Sequence, residues 1–196
     1  MLLNKMELKR QKDMLVLYNK SLPSLKKKQN LLQKQIILFE TEIAKFIREI
    51  EETENSSKHW LGVFAQEVPL PVIKISNYKH TTVNIAGIDI FRIEDIRFTS
   101  EYDMETTPWW FDDGVTLLTK VYELNIRINN LKKNIGLIKE ELDSTAQRIN
   151  LFEKRLIPQA EENIRKLKIF LGDQQVAAVC RGKLTKKRKE KKGEEA

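Results

Sequence analysis

The sequence predicts a mainly α-helical protein: a long intrachain antiparallel two-helix coiled coil with a small β-hairpin-containing head between the helices. Three observations predict it. Two long tracts carry apolar residues at alternating steps of three and four. A stretch rich in Val, Ile, Thr and Phe separates them. The composition, with only 7 Gly and 5 Pro in 196 residues and 32% charged side chains, suits long solvated helices better than a compact enzyme core.

The first tract, residues 1–54, steps through Leu8, Gln11, Leu15, Tyr18, Leu22, Leu25, Gln29, Leu32, Ile36, Phe39, Ile43, Phe46 and Ile50. A 3.5-residue repeat sustained for about six heptads is the signature of a left-handed coiled coil. Residues 6–54 would span roughly 73 Å at about 1.5 Å per residue. Pro23 interrupts early, but the register continues through it, so a bend is expected rather than a stop. "NSSKH" then breaks the helix.

Residues 55–107 follow another grammar. Val72-Ile73-Lys74-Ile75, Val83-Asn84-Ile85 and Ile88–Ile93 alternate as short strands do. Pro69 and Pro71 suit a strand entry, and Gly87 a turn or a close approach. Trp60, Trp109 and Trp110 flank this head and are expected to cement it to one end of the helix pair.

The second helical tract, residues 108–171, opens with Thr107 as N-cap and Pro108 as first helical residue. Its stripe runs Leu117, Val121, Leu124, Ile128, Leu131, Ile135, Ile138, Leu142, Thr145, Ile149, Phe152 and Leu156. The rhythm then lengthens through Ala160, Ile164, Leu167 and Leu171, which relaxes a left-handed supercoil toward straight. Pro158 sits at that change. It marks either a local change of helix path or a tolerated surface proline. The two tracts bury their stripes against each other or against another copy. The intervening stretch can make the reversal, which favours the intrachain pair. Residues 172–196 form a basic flexible tail, with eight basic residues and one Glu in 181–192.

Catalytic chemistry finds no footing. Gly182-Lys183 fails as a phosphate loop, because Leu184 and Ala177 occupy the positions that need Ser/Thr and Gly. His59, His80 and Cys180 have no metal-ligand spacing. No cofactor, metal or catalytic residue is expected. A single Cys180 points to a reducing compartment, and no run of the roughly 18 apolar residues of a membrane span occurs, so a soluble chain is expected. A basic coiled coil that binds nucleic acid through "KKRKEKK", or a homodimeric scaffold, is the alternative function. The basic runs lack the interleaved aromatics that stack bases.

One stretch is more specific. "STAQRINLFEKRLIPQAEENIRKL" resembles the Q-R-V-N-A-L-E…I-P-x-x-E-x-T-I-R signature of the central-stalk D subunits of V/A-type ATPases, matched at Gln147, Arg148, Asn150, Glu153, Ile157, Pro158, Glu161, Ile164 and Arg165. "NKMELKRQK" resembles that family's opening basic helix, and "NIAGIDIFRI" its central segment, with Asn84, Gly87 and Ile93 in step. Leu151-Phe152 stands for Ala-Leu, Phe91 for a usual Pro and Asn163 for a usual Thr. The resemblance implies a non-catalytic rotor axle carrying torque between ATP hydrolysis or synthesis in the catalytic ring and ion translocation in the membrane. It implies contacts with catalytic and regulatory ring subunits A and B, with the small F component of the stalk and with a membrane-rotor docking subunit. Neither nucleic acid nor direct membrane insertion is expected. The implied location is cytoplasmic, peripheral on the membrane through the complex.

Overall fold

The computed structural model describes residues 3–64, 72–101, 108 and 110–194, with side chains over 3–58, 73–100, 108 and 110–188. Helix α1 spans Lys5–Phe64, strands β1 Val72–Ile85 and β2 Ile88–Glu101 form an antiparallel hairpin, and helix α2 spans Phe111–Leu151. A π-helical turn, Phe152–Leu156, leads into α3, Ile157–Glu194. The mainly α architecture, an intrachain antiparallel coiled coil with a small hairpin between its helices, is the one the heptads predict.

Helix α1 starts at a cap that the sequence reading missed. Asn4 Oδ1 accepts a hydrogen bond from the Glu7 backbone N–H at 2.7 Å, satisfying a donor that the first turn leaves orphaned. The helix then runs unbroken through Pro23 and past the expected stop at residue 54. "NSSKH" is helical, and its serine hydroxyls bond back to the helix. Ser56 Oγ and Ser57 Oγ both donate to the Thr53 carbonyl, and Thr53 Oγ1 donates to the Glu49 carbonyl. Bonding back within the helix satisfies these hydroxyls without a turn, at a slight cost to the helix.

Helix α2 begins at Phe111, three residues later than expected, because Pro108 contributes its carbonyl to the preceding turn and accepts from the Phe111 N–H at 3.0 Å. The expected cap at Thr107 lies outside the described residues. The tail also departs from expectation: α3 stays helical to Glu194. Lys, Arg, Glu, Gln and Ala are strong helix formers, so this segment propagates a helix without an apolar face.

The chain forms two compact units, Lys28–Ser144 and the pair Met1–Lys27 with Thr145–Ala196. In the Lys28–Ser144 unit, Lys28 Nζ meets Glu141 Oε1 at 2.6 Å and Lys120 Nζ meets Glu49 Oε1 at 3.3 Å. As α1 advances, its partners on α2 retreat, which is the antiparallel arrangement. The core there gathers Leu32 and Ile36 of α1, Ile135 and Ile138 of α2, and Ile90 of β2. In the other unit, Tyr18 and Phe152 rings lie 5.3 Å apart, and Lys26 Nζ reaches Glu153 Oε1 at 2.6 Å.

Pro158 has a local structural counterpart. Proline offers no N–H, and in α geometry its ring presses on the carbonyl four residues back. The π turn immediately before it widens the helix, with the Ile157 N–H donating to the Phe152 carbonyl five residues back. A π turn inserts extra residue length into one turn. That insertion accounts for the steps of four from Phe152 through Leu156 and Ala160 to Ile164 on the inward stripe.

Candidate functional site

The heptad positions fall on one face. Leu32, Ile36, Leu124, Ile128, Leu131, Ile135, Ile138 and Ile149 are buried, while Leu8, Leu15, Leu22, Leu25, Phe39, Ile43, Phe46, Val121, Leu142, Phe152 and Leu156 are partly buried. The large apolar side chains that are exposed on α1, such as Val16, Leu17, Leu31 and Leu38, lie off that stripe. Thr145 occupies a stripe position at 0% exposure, and its Oγ1 has no hydrogen-bond partner among the described residues.

The hairpin does not cap an end of the helix pair, as a head would. It lies along the flank of the Lys28–Ser144 unit. A two-stranded hairpin is marginal alone and needs a helical face to pack on. Ile90 supplies the inward contact at 2% exposure, with Ile85, Ala86 and Ile88 packed around the same cluster. The strands are longer than the short runs expected from alternation, with 14 residues each and register shifts at Ile75/Asn77 and Lys79/His80.

Two polar side chains of α2 fasten the hairpin. Asn134, 3% exposed, donates from Nδ2 to the Phe91 carbonyl at 2.8 Å. Arg127 donates to the carbonyls of Ile93 and Glu94 at 3.4 and 3.2 Å while Glu123 holds its guanidinium at 2.7 Å. The sequence reading missed both residues. Their only signal is polarity beside the inward stripe. A cavity of about 120 Å³ remains between hairpin and helices, with Gln35, Glu42, Arg92 and Asn130 among its lining residues.

The turn itself is strained and braced. Ala86 and Gly87 both have positive φ, 53° and 90°, as a two-residue hairpin turn requires. Glycine takes that geometry freely; alanine does not. Asn84 braces it, accepting from the Gly87 N–H at 3.1 Å and donating to Asp89 Oδ1 at 2.6 Å. The methyl of Ala86 packs against the core cluster, which offsets its unfavourable backbone.

Apart from Ile164, which lies on the inward stripe, Glu153 and the partly buried Ile157, the candidate signature residues face outward. Gln147, Arg148, Asn150, Pro158, Glu161 and Arg165 are exposed, Glu153 is half-buried in its ion pair with Lys26, and only Ile164 is buried. Gln147, Asn150, Pro158, Glu161 and Arg165 recur at helical spacing, so they form an outward stripe on the α2–α3 segment. Nearby, the Lys166 ammonium hydrogen-bonds Glu162 and, with its charge, holds that carboxyl below its ordinary value. Among the described residues no group of His, Cys, Asp and Glu could hold a metal ion, and no helix is long and apolar enough to cross a membrane. Trp110 and Phe111 are buried with rings 6.2 Å apart. The expectations for Trp109 and for the side chain of Trp60 lie outside the described residues.

Such an arrangement, an inward apolar stripe joining two antiparallel helices with polar residues facing outward, defines a coiled-coil protein. Residues 7–187 match the family model of the ATP synthase D subunit. The V-type ATP synthase D subunit of Borreliella burgdorferi is 37% identical over 190 residues, covering 94% of this chain and 92% of the relative. The V-type ATP synthase D subunits of Chlamydia muridarum and Chlamydia caviae are 29% and 32% identical, over 95% and 89% of this chain and 94% and 86% of their own lengths. The chain belongs to the ATP synthase D-subunit family.

Proposed function

We propose that this chain is the central rotor-stalk component of a V/A-type rotary ATPase. It has no catalytic role of its own and transmits torque between ATP turnover in the catalytic ring and ion translocation in the membrane. The family match across residues 7–187 carries this reading. The helix pair suits the task, because side chains interlocked across two helices resist twisting better than a lone helix does. The outward stripe from Gln147 to Arg165 supplies a polar surface for neighbours beyond the pair itself. Those neighbours are ring subunits A and B, the small F component of the stalk and the membrane-rotor docking subunit, which place the chain peripherally on the cytoplasmic side. An axle within a ring must favour one catalytic site over the others, a differential contact that needs an asymmetric surface. The π turn before Pro158 is one source of that asymmetry.

The alternative of a nucleic-acid-binding or homodimeric scaffold draws no support from the relatives. Co-purification with a tagged ring subunit from cells expressing the whole complex tests the proposal. The chain is expected in the eluate at a fixed ratio to the ring. Its absence from an ATPase-active complex would refute the assignment.

A further inference from the structure

The two edges of the hairpin are not equivalent. Ile85 pairs with Ile88 across a two-residue turn, so the hydrogen-bonded pairs alternate onward as Val83 with Ile90 and Thr81 with Arg92. The intervening residues, Asn84, Thr82 and His80 on β1 and Asp89, Phe91 and Ile93 on β2, direct their backbone N–H and C=O groups away from the partner strand. On β2 two of those outward carbonyls are occupied, Phe91 by Asn134 and Ile93 by Arg127. On β1 every residue from Lys74 to Asn84 is exposed. The outward backbone groups of His80 and Thr82 meet no other described residue.

We infer that the β1 edge, at His80–Asn84, accepts an extended acidic segment of a partner protein as a third strand. An open edge is a template for strand addition, and main-chain hydrogen bonds supply the attachment. Charge selects the occupant. β1 carries Lys74 and Lys79 and no Asp or Glu, whereas β2 sets Asp89, Glu94, Asp95 and Glu101 against Arg92 and Arg97. Lys79 adjoins His80–Asn84 and no carboxylate lies on β1, so acidic residues in a strand laid beside it are favoured. Tyr78, His80 and Phe91 form an exposed aromatic row next to this edge, with ring centroids 5.7 and 5.9 Å apart, and favour β-branched or apolar residues at alternate positions. This inference stands on the geometry, charge and side chains of the edge and does not depend on the rotor assignment.

Amide hydrogen exchange on the full chain tests it, with a capped peptide alternating glutamate and valine as probe and its lysine counterpart as control. The acidic peptide is expected to slow exchange at His80 and Thr82 by about tenfold, leaving the already paired Thr81 and Val83 unchanged. Thr82→Pro removes one outward N–H at a position where an edge strand tolerates proline, and is expected to abolish the effect while Val83 stays protected. Lys79→Glu, which leaves the backbone intact, is expected to weaken it as well. The inference is overturned by no slowing at saturating acidic peptide or by equal slowing with the lysine peptide. It is equally overturned by protection that rises with protein concentration alone, which would mark a second copy of the chain as the occupant.

Discussion

Ile90 and Thr145 bracket what single side chains do here. Ile90 is the one strand residue among the fully packed members of a cluster otherwise built from helices, so it couples the hairpin to the coiled coil. Ile90→Ala is expected to cost about 2–5 kcal/mol in urea unfolding, the range for truncating a buried isoleucine. Thr145 acts in the opposite sense. It buries a hydroxyl that no described residue bonds, a burden of about 1–3 kcal/mol. Thr145→Val keeps the shape, removes the orphaned oxygen and is expected to raise the urea midpoint; a lower midpoint would mean the hydroxyl is satisfied in solution. The stripe that holds both helices together was legible because nearly every position is apolar at fixed spacing. Asn134 and Arg127 were not legible, because what they bond are strand carbonyls distant in sequence, and no periodicity announces them. Glu162 has its folded pKa lowered by Lys166. A lowered value means its contribution is present above the unfolded carboxylate pKa and is lost as pH falls through the folded one. The group is fully exposed, so the effect on stability is small.

At the scale of elements, the helices and the hairpin divide the work. Removing residues 72–98 is expected to leave far-UV helicity largely intact, because the heptad stripe persists, but to lower stability by exposing the cluster that Ile90 completes. In the assembled enzyme the same deletion is expected to impair docking or ATP turnover. Loss of helicity in circular dichroism would instead show that the hairpin is needed for folding. Pro158→Ala restores the missing N–H and is expected to let the π turn relax toward α geometry and to lower coupled ATP hydrolysis. Unchanged curvature together with unchanged hydrolysis would remove any mechanical role for Pro158. Element type was readable from period and composition; element ends were not. "NSSKH" looks like a breaker until Ser56 and Ser57 are seen bonding the Thr53 carbonyl. The tail looks disordered by charge alone, yet its residue types are those that sustain a helix. The hairpin's place along the flank was hidden because its partner face belongs to residues that come together only in three dimensions.

For the whole molecule, the surplus of positive charge gathers at 181–192 on α3. If acidic groups of the complex receive that helix end, removing residues 183–196 is expected to weaken assembly at low salt and to matter less at high salt, where screening already suppresses the attraction. Assembly measured by native electrophoresis across ionic strength decides it; equal assembly with and without the segment at every salt concentration would retire the idea. The pairing of Lys28 with Glu141 has a further consequence, one for biosynthesis. The two residues are separated by 113 positions. At about 5–20 residues per second a ribosome needs roughly 6–23 s to cover that distance. For that interval the greasy side of the leading helix emerges with nothing to zip onto, and a nascent-chain chaperone has its opening there.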